Sequence, residues 1–142
     1  MKAPAILVID DDPMIRTIFK MYCNQQNFPV LEAENGSEAL DILAENESIV
    51  HIVLDLNMPV LDGFSFLVEC EYRYPARPLH IYIVSAYSIN QFLNRVKQQS
   101  LPIAKVVDFI EKPSNIIDII NKIKSKSDSA PNEIFATFKS QL

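Results

Sequence analysis

The chain has 142 residues, 49% hydrophobic and 22% charged, with a net charge of -5. That is enough apolar material for one domain with a sizeable core, and the wrong sign for nonspecific attraction to nucleic acid phosphates or an anionic membrane. No apolar run approaches the roughly 18–20 residues that cross a bilayer, and the opening MKAPAILVIDDD lacks the long apolar stretch and small-residue cleavage site of a signal peptide.

In chain order, the first apolar run is AILVI, Ala5–Ile9, which ends in Asp10, Asp11 and Asp12. Pro13 then suits the first turn of a helix, where its missing N–H costs nothing. Ile15, Ile18, Phe19, Tyr22 and Cys23 follow as one apolar stripe at helical spacing. A weak strand is expected at Pro29–Ala33, then a helix in NGSEALDILAEN with Ser37 as its N-cap. IVHIVL, Ile49–Leu54, is the third strand and ends in Asp55; FSFLVECEYRY is the third helix, stopped before Pro75. Leu79–Val84 is the fourth strand, ending in Ser85, and SINQFLNRVKQQ the fourth helix. Val106–Ile110 is the fifth strand, ending in Glu111 and Lys112. SNIIDIINKIKSK is the fifth helix, with Ser114 as N-cap and Ile116, Ile117, Ile120 and Ile123 inward. Lys126–Ala130 reads as a linker, and Asn132 as the cap of a short helix with Ile134, Phe135 and Phe138 on one side.

The strands are rich in Val and Ile and mostly do not alternate with polar residues, as strands buried on both faces do. Five β-α units in succession predict an α/β fold, an open doubly wound parallel sheet with helices on both faces. Cys23 and Cys70 fit no CxxC or zinc spacing and are expected as reduced, part-buried thiols of a cytoplasmic protein.

In a parallel sheet the C-terminal strand ends share one edge, where open α/β sheets bind ligands. Several carboxylates, one hydroxyl and one ammonium should therefore converge. Clustered carboxylates without soft ligands suit a hard cation such as Mg²⁺. Mg²⁺, a Lys and a hydroxyl are the parts that hold a phosphoryl group during transfer, and a carboxylate can itself be the nucleophile. By spacing, Asp55 is the candidate nucleophile, because it stands alone at its strand end, and the Asp10–Asp12 cluster is better placed to hold metal.

ILVIDDDPMIR, IVLDLNMPVLDG, IYIVSAY and FIEKP, in this order over about residues 5–125, resemble the receiver domain of two-component response regulators. The resemblance implies a flavodoxin-like sheet in strand order 2-1-3-4-5 with five helices, residues 1–125 forming the receiver domain and 126–142 a C-terminal tail. It implies that Asp55 accepts a phosphoryl group from a histidine kinase or phosphotransfer protein. Asp11 would ligate Mg²⁺ directly, Asp10 mainly through water, with Asp55 and the backbone carbonyl of Asn57 completing the set. Lys112 would pair with the phosphoryl oxygens, Ser85 would move onto the phosphoryl group, Phe109 would hold the aromatic switch position, and Lys112–Pro113 would be cis. A downstream protein would meet the face of the fourth helix, fifth strand and fifth helix. This chain departs from the pattern in having Phe109 for the more familiar Tyr, and in a Ser85–Lys112 interval a few residues longer than usual, which reads QQSLPIAKVV in place of the usual Gly-containing turn before the fifth strand.

Other polar residues are expected to be structural: Asp12 as a first-turn acid, Asp62 in an LDG turn, Glu111 at the surface, and His51 and His80 at the edge opposite the site. Tyr87, two past Ser85, is expected to shield the phosphoryl group. The 142 residues leave no room for a DNA-binding output domain, so output is expected to be protein–protein. A Mg²⁺-dependent aspartyl phosphohydrolase is the rival reading, but such enzymes usually have a second acid two residues after the nucleophile, where this chain has Asn57. A flavin carrier would need a phosphate loop where DDDPM stands.

Overall fold

The computed structural model describes residues 4–125 and 132–142. Five parallel strands, β1 (Ala5–Ile9), β2 (Val30–Ala33), β3 (Ile49–Leu54), β4 (His80–Ser85) and β5 (Val106–Glu111), lie in the order β2-β1-β3-β4-β5. The helices are α1 (Pro13–Gln25), α2 (Gly36–Glu45), α3 (Gly63–Arg73), α4 (Ile89–Gln99), α5 (Ile116–Ser125) and α6 (Glu133–Ser140).

The strands divide their side chains between two cores. Ile6, Val8, Val53, Tyr82 and Val84 meet α1 and α5 through Phe19, Cys23, Ile119, Ile120 and Ile123. Leu7, Ile9, Ile52, Leu54 and Ile83 face the other way, onto α2, α3 and α4. Successive side chains of a strand point to opposite faces, and a strand covered on both sides must be apolar at every position. Cys23 and Cys70 belong to different cores, so the sheet separates them. Both are free and fully buried rather than part-buried, and burial pushes each thiol up to about 11.

Several local expectations need correction. Asn35, not Ser37, caps α2, by accepting the Glu38 N–H at 2.8 Å. Asn115, not Ser114, accepts the Ile117 N–H at the start of α5. Ile117 points outward, and Ile119 takes its place in the core. α6 is the short helix expected after Asn132, which caps it through the Phe135 N–H. Phe135 is buried and Phe138 partly so, but Ile134 faces solvent. The expected linker Lys126–Ala130 lies outside the described residues. In QQSLPIAKVV, the left-handed residue that closes α4 is Ser100, at φ 50° and ψ 48°, in place of the usual Gly. Leu101 and Ile103 then tuck into the core before β5.

Candidate functional site

The C-terminal strand ends converge as their sequence positions predict. One carboxylate oxygen from each of Asp10, Asp11 and Asp55 lies within 4.8 Å of the others. Asp10 and Asp55 are buried and Asp11 is exposed. The Lys112 ammonium enters from the end of β5, 3.1 Å from Asp10 Oδ2 and 3.6 Å from Asp55 Oδ2. It is held there in part by its own backbone N–H, which donates to the Ser85 carbonyl at 2.8 Å. The Lys112–Pro113 bond is cis.

Each carboxylate has its own support. Asp10 Oδ1 accepts the Asp12 N–H at 2.9 Å. Asp55 Oδ1 has only the Asn57 N–H, at a long 3.4 Å. Burial first, then the charge of Asp10, push the Asp55 carboxyl up to about 6, with Asp11 adding to the rise; the Lys112 ammonium and the Asn57 N–H pull the other way. One ammonium is thus shared among carboxylates that a folded chain would otherwise keep apart. The donors are all oxygen, and their excess negative charge is what a hard cation offsets.

Ser85 is fully buried, and its hydroxyl accepts the Tyr87 N–H at 3.0 Å. The Tyr87 ring packs edge-on against Phe64 at 5.5 Å. Phe109, the fourth residue of β5, is buried and stacked on Phe92 of α4 at 5.1 Å. Asp12 caps α1 by accepting the Met14 N–H, and Asp62 caps α3 by accepting the Ser65 N–H. Glu111 is exposed, yet it is more than surface: its carboxylate accepts the Ile89 N–H at 2.9 Å and holds the first turn of α4.

The loop from β3 to α3 runs close under the site. A Cβ at Gly63 would lie 2.4 Å from the Asp55 carbonyl oxygen and 2.7 Å from the Leu56 Cα, so only glycine fits. Val60, in the same loop, has φ 68° and is 82% exposed. A β-branched residue is strained there. A cleft of about 450 Å³ opens beside the carboxylates, bounded by Asp10, Asp55 and Lys112 and by the apolar Ile15, Phe19 and Ile116.

Two contributors were not legible in the sequence. Arg16 of α1 donates to the Asp10 carbonyl at 2.7 Å and to Glu32 of β2 at 3.2 Å, fixing the strand end that carries the acids. Asp108 of β5 is buried and pairs with Lys122 of α5 at 2.8 Å. Arg16 sits four residues after Asp12 at a helical position, a spacing that signals proximity to that strand end. Asp108 has apolar strand residues on both sides of it, and that marks it.

The family model described as the response regulator receiver domain matches residues 6–124. The chain belongs to the response regulator receiver domain family. The receiver is 29% identical over 120 residues to the transcriptional regulatory protein SrrA of Staphylococcus aureus, covering 84% of this chain and 46% of that protein. It thus spans about half the length of the curated relatives it matches. Among solved structures, a CheY-like receiver domain protein from Methanospirillum hungatei is 25% identical with a TM-score of 0.71, over 88% of this chain and 94% of that one. The receiver domain of the Francisella response regulator 1452 is 28% identical with a TM-score of 0.71, over 86% and 94%. Receiver domains bind Mg²⁺ at an acidic pocket, and in this receiver Asp10, Asp11 and Asp55 form an acidic cluster. No helix among the described residues is long and apolar enough to cross a membrane.

Proposed function

We propose that this receiver is a phosphorylation-dependent switch, with the Asp55 carboxylate as phosphoacceptor for a histidine kinase or phosphotransfer protein. One observation carries the reading: Asp55 is buried at the shared strand edge, 3.6 Å from the Lys112 ammonium and within 4.8 Å of two more carboxylates. An Asp55 oxygen attacks the phosphorus of the donor, the P–N bond to the donor imidazole breaks with its electron pair staying on nitrogen, and an acyl phosphate forms. The cleft beside Asp55 gives the donor side chain room. Asp10, Asp11, Asp55 and the Asn57 carbonyl are the residues that would hold Mg²⁺. Bound there, the ion neutralises the carboxylates and the incoming phosphoryl oxygens. Lys112 supplies the fixed positive charge among the strand ends, and Ser85 gives up the Tyr87 N–H to turn its hydroxyl to the phosphoryl group. Phe109 is the switch aromatic, and it acts through Phe92 without a phenol hydroxyl. Tyr87 slows loss of the phosphoryl group, so Tyr87→Ala speeds dephosphorylation severalfold.

Residues 1–125 form the receiver and 126–142 a tail. Output runs through protein contacts at the face of α4, β5 and α5 in a cytoplasmic protein that is a regulator rather than a turnover enzyme. Asn57, where a phosphohydrolase usually has its second acid, supports that. The test is incubation with Mg²⁺ and acetyl phosphate followed by intact mass. One phosphoryl adduct is expected, absent with EDTA and in Asp55→Asn. An adduct that survives Asp55→Asn overturns the assignment, and multiple turnover of phosphate esters would make the chain a hydrolase.

A further inference from the structure

α6 has eight residues, too few to persist as a free helix in water. Its contacts therefore decide whether it exists. Phe135 is fully buried, 6.3 Å from the Phe92 ring of α4. Lys97 of α4 lies over the Phe138 ring at 5.6 Å. The Lys139 ammonium donates to the carbonyls of Ala104 and Val106, and the Asn132 N–H donates to buried Asp108 of β5 at 2.7 Å. Without these contacts it would unfold.

The platform under α6 is joined to the acidic pocket by two routes. Phe92 stacks on Phe109 at 5.1 Å and on Phe64 at 6.2 Å; Phe64 meets Tyr87, whose N–H donates to the Ser85 hydroxyl. The first turn of α4 is held by Glu111 through the Ile89 N–H, and the adjacent Lys112 bonds the Ser85 carbonyl. The first turn of α4 is thus tied to the end of β5, which is in turn tied to the end of β4. A packed core repacks in discrete steps rather than deforming smoothly. A shift of Ser85 and the first turn of α4 moves Phe92 and removes the floor under Phe135.

We infer that α6 is a latch on the α4–β5 face whose docking opposes phosphorylation of Asp55, so that a phosphoryl group in the pocket releases the helix. This rests on Asp55 as phosphoacceptor, and it adds that the surface meant for a downstream protein is covered by the chain itself until phosphorylation. Coupling between two sites is reciprocal, so weakening α6 must favour the phosphorylated state.

The experiment is amide hydrogen exchange on the full chain with and without Mg²⁺ and acetyl phosphate, with intact mass read on the same samples. Amides of residues 133–140 are expected to exchange about tenfold faster in the adduct, while those of β1 and β3 stay unchanged. Phe135→Ala should raise the steady-state adduct about threefold. Ala136→Gly, at an exposed position, weakens the helix without touching the core and should act in the same direction. An adduct that forms normally while α6 keeps its protection, with both variants phosphorylated like the parent chain, overturns the latch alone. No adduct in the parent chain overturns the phosphoacceptor reading and the latch with it.

Discussion

Asp55 and Asp108 are both buried, 5% and 3% exposed, the first just past the end of the central strand β3, the second inside the edge strand β5, and each close to one lysine. Their surroundings differ in kind. Asp108 has Lys122 at 2.8 Å and accepts two backbone N–H groups, from Phe109 at 2.8 Å and Asn132 at 2.7 Å. Asp55 has a shared lysine at 3.6 Å, one long N–H contact, and two acidic neighbours. A buried carboxylate with its acceptor sites filled is a fastener. One left short of partners is held at a cost by the rest of the fold, and such groups gather where a ligand is to supply what is missing.

The contrast breaks most visibly at Asp108. Asp108→Ala strands the Lys122 charge, one buried N–H and one part-buried N–H, and should lower stability by about 3 kcal/mol in urea unfolding. Asp55→Asn should do the reverse. With the carboxyl pushed from 3.8 to about 6, removing the charge should stabilise the metal-free protein at pH 7 by about 3 kcal/mol. Added Mg²⁺ should raise the melting midpoint of the parent chain far more than that of Asp55→Asn.

The pH dependence sharpens the same point. Between its unfolded value near 3.8 and its folded value of about 6, Asp55 binds more protons folded than unfolded. It is therefore a cost to stability that is complete above pH 6, shrinks as pH falls from 6 towards 4, and is gone below the unfolded value. The stability gap between Asp55→Asn and the parent chain should close over that window, as chemical unfolding at a series of pH values would read. The smallest effect is expected at the rim. Val60→Asn, which tolerates the left-handed backbone at φ 68°, should stabilise by about 1 kcal/mol, without altering the Asp108 end.

The sheet was legible because burial on both faces forces a continuous apolar run. Ala5–Ile9 and Ile49–Leu54 match the expected bounds residue for residue, and Leu79–Val84 moved by one to His80–Ser85. The acids were legible because each interrupts such a run at its end. Caps were legible only in part: Asn132 was, but Asn35 competes with Ser37 two residues away, and both are good cap residues, so only the backbone path decides. Ile117 and Ile119 are equally apolar, and the phase of α5 against the sheet chose between them. The partners of Arg16 and Asp108 lie on other elements, and a residue's own sequence window does not contain them. Ser100 passed unread because a left-handed turn is usually announced by glycine, and this chain has two glycines, both committed to close packing.

The position of β5 at the rim of the sheet has a consequence for how the molecule lives at high concentration. An outermost strand offers its backbone to any passing chain, and a long apolar one invites stacking of copies into aggregates. β2, the opposite rim, is four residues long and carries Glu32 salted to Arg16 and Lys20, which makes it a poor template. β5 is longer and more apolar, and its protection is the tail: Lys139 occupies the carbonyls of Ala104 and Val106 and Phe135 fills the neighbouring hollow. A chain cut short before Asn132 would gain a sticky border, and with it a tendency to clump that has nothing to do with signalling.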